Sequence, residues 1–182
     1  MLPTPLHPAI VHLPMALMVL IPMFAFGALW AIHRGATIRN AWGLTVALMV
    51  LLVATSWLAS ETGENEEDAV EDVVAESTIE THEEAAERFL FLGATLLVLS
   101  GLGLFSGRIG ETARWTGAVG SLLVLAAGVQ VGHLGGELVY KHGAAAAYVD
   151  SAPGGSETSR DGERRERRDD DVDNDDDDDD RH

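Results

Sequence analysis

Four stretches of the chain are almost free of charge and rich in Leu, Val, Ala, Ile and Met, at about residues 9–32, 41–60, 89–107 and 115–140. Each can cross a hydrocarbon layer of roughly 30 Å, which takes about 20 helical residues. Lipid offers no partner to an unpaired backbone N–H or C=O, so the runs predict helices rather than open strands. The pattern predicts an all-α fold, a four-helix transmembrane bundle. The first run has no Lys or Arg before it and is too long for a signal-peptide core, so it reads as a retained span. Pro8 suits a first helical position, whereas Pro14 and Pro22 leave the Ile10 and Met18 carbonyls without donors and predict a kinked first helix.

Polar positions gather outside the runs. Segment 61–87 holds acids and no Lys or Arg, and the tail from Asp150 ends in a run of Asp. Of the 29 acidic residues only Glu111 and Glu137 lie elsewhere, against 12 Lys and Arg and a net charge of −17. The reading is a four-span membrane domain at 1–145 with an acidic outer loop at 61–87, followed by a disordered acidic tail at 146–182. Within the loop, Val70, Val73, Val74 and Ile79 recur weakly at helical spacing and predict an amphipathic surface helix. Glu83, Glu84 and Glu87 are then expected in the first turn of the third span. Asp171, Asp173 and Asp175 imitate the start of a calcium loop but lack its glycine and terminal glutamate. The chain has no Cys, which excludes disulfides and thiolate metal sites, and its two polyanionic segments argue against a nucleic-acid partner.

Short-loop charge sets an expected orientation. Arg34, Arg39, Arg108 and Arg114 flank one side and only Arg88 and Lys141 the other, which predicts both termini outside the cell membrane. Glycine rows, Gly128, Gly132 and Gly136 in the fourth span and Gly103 and Gly107 in the third, predict close helix packing and offer faces for a homo-oligomer.

Threading the chain through four spans puts His7, His12, His82, His133 and His142 at one face of the membrane and His33 at the other. His12 and His133 are expected roughly 5 to 10 Å below the outer interface at 1.5 Å per residue, where polar side chains tend to turn inward and mark function. Gln130, His133, Glu137 and Tyr140 share one helical face by their spacing, with His12 and Glu61 as expected partners.

The segments His7 to Pro14 (HPAIVHLP), Ser60 to Glu64 (SETGE), Thr81 to Phe89 (THEEAAERF) and above all Gly132 to Gly143 (GHLGGELVYKHG) resemble a family of bacterial and archaeal membrane proteins, the domain of unknown function DUF2231. The resemblance covers residues 5 to about 145. It implies a four-helix membrane protein with His7, His12, His82, His133 and His142 as recurring histidines, and it implies no activity.

The residues themselves suggest a redox or metal protein. Haem b, held by imidazoles from facing helices, is the first candidate, with His12 and His133 as axial ligands and Gly132 and Gly136 leaving room for the macrocycle. A bare copper, iron or zinc ion is the other, held by His133, Glu137 and Glu61, or in a second layer by His7, His142 and His82. Gln130 and Tyr140 are supporting residues. Two further readings stay open: a proton or ion path lined by the same side chains, and a structural subunit without chemistry. The acidic segments suit either high-salt adaptation or the docking of a basic extracytoplasmic electron carrier. Phosphate loops, nucleophile elbows and dinucleotide fingerprints do not occur in the sequence.

Overall fold

The computed structural model describes residues 6–146; apart from Ala146, the expected tail lies outside them. The elements are α1 (His7–Ile10), α2 (His12–His33), α3 (Ile38–Val70), α4 (Glu76–Leu102) and α5 (Gly107–Tyr140), with no strand among the described residues. The four longer helices each carry a stretch apolar enough to cross a membrane. Both α2 and α4 pack on α3 and α5, so the four helices form a ring in chain order with alternating direction. The α2–α3 and α4–α5 connections lie at one end. The turn between α3 and α4, together with α1 and the C-terminal end of α5, lies at the other.

Two helices outrun the bilayer. At 33 and 34 residues, α3 and α5 are each about 50 Å long, against roughly 30 Å of hydrocarbon. The segment expected as a loop at 61–87 is therefore largely helical, continuing α3 to Val70 and starting α4 at Glu76. This moves Glu83, Glu84 and Glu87 away from the first turn of their helix, where only Glu76 stands. Val74, Ile79 and Ala144, with Val70 and Leu138 beside them, make a small apolar cap over this end, while Val73 is exposed. The expected kink falls at Val11, between α1 and α2. Pro14 has no N–H to offer the Ile10 carbonyl, although Met15 N still reaches Val11 O at 3.2 Å. Pro22 is buried inside α2 without interrupting it.

Lipid chains are as apolar as Leu, so close packing rather than exclusion from water holds such helices together. Leu17, Met18, Ile21, Met49, Leu52, Phe89, Leu96 and Val124 fill the middle of the ring. Of the expected glycine rows, only two members make close approaches. A Cβ on Gly128 would overlap the Met18 sulfur and lie 3.0 Å from the Phe89 ring, and one on Gly103 would overlap Trp42 Nε1. Gly132 meets only Met15 at 3.9 Å, Gly136 has nothing within 4 Å, and Gly107 starts α5 at a φ of +84°. Gly110, Gly117 and Gly120 are tight instead, because the inward face of α5 runs through Gly110, Ala113, Gly117, Ser121, Val124 and Gly128.

The connection end is pinned by polar groups. Trp42 is fully buried and its Nε1 donates to Ser100 O at 2.8 Å. Arg114, placed in a loop by the orientation argument, is a buried residue of α5. Its Nη1 donates to Gly103 O at 2.6 Å and Phe105 O at 3.1 Å. A cation bonded to carbonyls just past the last turn of α4 also complements the helix dipole.

Candidate functional site

The antiparallel ring carries His7, His12, His82, His133 and His142 at the end away from the two short connections, and His33 at the other. Within that group the side chains separate into an outward set and an inward pair.

His12, Gln130, His133, Tyr140 and His142 are exposed, the His133 side chain to 72%. The expectation that the α5 stripe points into the bundle is thus corrected. Its residues fall about 120–200° around the helix from Gly128, at 100° per residue, and so face outward. The inward face continues through Val131 and Gly135. Gly128 lies against Phe89 and Gly135 against His82, which sets His133 level with the turn of α4 where Arg88 pairs with Glu84 at 2.6 Å.

Glu137 accepts from Lys141 and stands 3.5 Å from His133 Nε2, both within one helix. Glu61 is exposed on α3. Among the described residues no three His, Asp or Glu side chains come together as a metal set, so His133, Glu137 and Glu61 are not assembled as one. An axial polar path is interrupted as well. On α3 the buried Thr45 and Ser56 are separated by Met49 and Leu52, members of the central apolar cluster.

His7 and His82 form the inward pair. His7 Nδ1 lies 2.8 Å from Ala59 O; a carbonyl only accepts, so Nδ1 carries the proton and Nε2 keeps its lone pair. The two backbone N–H groups that open α1 are capped by Glu66 Oε1, at 2.5 Å from Leu6 N and 3.2 Å from His7 N. Gly63 makes room for the ring, since a Cβ there would lie 3.2 Å from Cε1 and Nδ1. One helical turn of α1 is thereby fastened to the extension of α3.

His82 is half-buried on α4, on the side that buries Ala85 and Phe89. Its ring lies against Gly135, where a Cβ would come within 3.1 Å of Cε1. Electrostatically the ring feels the His7 imidazole and the Val131 backbone. Its Nδ1 is buried without a hydrogen-bond partner among the described residues. The His7 ring is thus oriented by a backbone carbonyl through one nitrogen, as metal-binding histidines are, leaving the other nitrogen as a base. The neighbouring turns add negative charge, with Glu64, Glu67, Glu80 and Glu87 all acting on Glu83.

Glu66, Gly63 and Gly135 are the site residues that sequence reasoning missed. Both glycines lie in motifs noted above, but their role depends on α3 continuing past residue 60 and on the facing direction of α5. Residues 3–147 match the family described as predicted membrane protein (DUF2231). No curated protein and no solved structure matches the chain.

Proposed function

Since the chain belongs to this family of predicted membrane proteins, we propose that it is a multi-pass protein of the cell membrane whose outer end binds a metal ion between His7 and His82, in a redox or metal-handling role. The observation that carries the reading is the buried Nδ1 of His82, which has no hydrogen-bond partner among the described residues. Leaving such an atom unsatisfied costs about 1–3 kcal/mol, which a bound ion offsets. The Arg-bearing connections favour this end as the outer one. The acids on α3 and α4 suit the attraction of a cation or a basic electron carrier to it.

A bare ion suits the site better than haem b. The bundle interior beneath the pair is occupied by Leu17, Met18, Phe89 and Val124, and a macrocycle between His12 and His133 would have to lie on the outer surface of α2 and α5. Metal analysis of detergent-purified protein, loaded with copper, zinc or iron and desalted, tests the assignment. The wild-type chain is expected to retain about one ion, His7→Ala and His82→Ala to lose it, and His12→Ala and His133→Ala to keep it. Retention in the first two variants with loss in the second two would overturn the assignment.

A further inference from the structure

We propose that the connection end carries a binding site for one anionic phospholipid, with an acyl chain in the groove between α2 and α3 and the phosphate at Arg34. The site lies at the opposite end from His7 and His82 and is independent of the metal reading. The groove has a volume of about 430 Å³. Met23, Gly27 and Ala31 form its wall on α2, Ala41 and Leu44 its wall on α3, and Asn40 is its polar lining residue. Its depth comes from small residues: a Cβ on Gly27 would meet nothing within 4 Å. From Met23 to Ala31 the groove follows α2 for about 12 Å, most of the roughly 15 Å of one hydrocarbon leaflet. An acyl chain can therefore lie in it lengthwise.

Charge at the mouth selects the headgroup. Gly27, Ala31 and Arg34 are spaced four and three apart, so Arg34 stands beyond the groove on the same helix face. Its guanidinium lies 5.0 Å from the centre of the Trp30 ring, and an exposed Trp suits the headgroup level. Neither Arg34 nor Arg39 pairs with a carboxylate among the described residues, and Glu111 is the one acid of this end among them. A guanidinium grips a phosphate through two parallel hydrogen bonds, and basic pockets between spans take anionic headgroups. A second copy is the poorer occupant. Docked α2 against α2 about a twofold along the membrane normal, it would bring Arg34 against Arg34 with no acid between them.

The test reconstitutes the full chain in phosphatidylcholine vesicles that contain either brominated phosphatidylglycerol or brominated phosphatidylcholine, and follows the quenching of Trp fluorescence. For a protein of net charge −17, overall repulsion predicts less quenching by the anionic lipid. The site predicts the reverse, with saturation at a mole fraction about five- to tenfold lower for phosphatidylglycerol. Trp30→Phe is expected to remove the saturable part. Arg34→Gln is expected to erase the preference. Gly27→Leu, whose Cβ meets no neighbour, is expected to abolish saturation with circular dichroism unchanged. Equal quenching by the two lipids in the wild type, or a preference that survives both Arg34→Gln and Gly27→Leu, overturns the proposal. So does a dimer that Gly27→Leu dissociates, which would give the groove to a second copy.

Discussion

Replacing Arg114 by Ala is expected to lower the stability of the bundle by about 3 kcal/mol, the sum of unsatisfied buried carbonyls and an unfilled space. Arg114 is 6% exposed as a residue, and its guanidinium donates to Gly103 O and Phe105 O. It also lies next to Gly103, which in turn accommodates Trp42. Loss of the side chain removes the partner of both carbonyls and opens the packing around Trp42. Arg114→Lys is expected to recover less than half of the loss, since one ammonium on a shorter stem replaces a planar fork. Thermal unfolding in detergent, followed by circular dichroism, measures both. A midpoint for Arg114→Ala indistinguishable from wild type would show that the connection end does not depend on this contact.

Enlarging Gly128 to Leu is expected to be comparably damaging, at about 3 kcal/mol for overpacking a filled interior. A Cβ alone would overlap the Met18 sulfur, yet Met is flexible and can turn aside, so Gly128→Ala is expected to be far milder. The added branch of Leu has no such escape, because Phe89 stands on its other side and both neighbours belong to the central cluster. Gly136→Leu is the matched control, with nothing within 4 Å of its Cβ position and an expected change within about 0.5 kcal/mol. Equal effects at the two positions would contradict the assignment of the inward face of α5.

The contrast between these two glycines shows which parts of the fold were legible. The number of spans and the all-α class follow from apolar runs that only helices can carry through lipid. The common end of five histidines follows from alternation of direction. Which way each histidine faces does not. Gln130, His133, Glu137 and Tyr140 are in register with one another, but register alone does not say whether a stripe looks inward. The answer lies in the small residues: Gly110, Gly117 and Gly128 define the buried face, and the stripe lies across the helix from them. The glycine row through Gly132 and Gly136 shares its four-residue spacing with Gly128, but each such step drifts about 40° around the helix, so the row leaves the buried face that Gly128 occupies.

Helix length explains the rest. Charge suggested that α3 ends near Ser60, whereas its backbone continues to Val70, since glutamate is a good helix former and water solvates it beyond the bilayer. Glu66 therefore reaches the start of α1, and Gly63 reaches His7. No local pattern in 61–70 reveals a cap for residues some 60 positions earlier. His82 was visible as a histidine before the third apolar run, but its pairing with His7 required those two extensions to be in place.

Thermal unfolding of the wild-type chain and of His82→Leu, each with and without added copper, zinc or iron, tests the histidine site most directly. Without metal the variant is expected to be the more stable by about 1–2 kcal/mol, because Leu fills the position without burying an unpartnered nitrogen. With metal only the wild type is expected to gain stability, since a ligand that binds the folded state raises its midpoint. A less stable variant in the absence of metal, together with a wild-type midpoint that none of the three metals moves, would contradict the account.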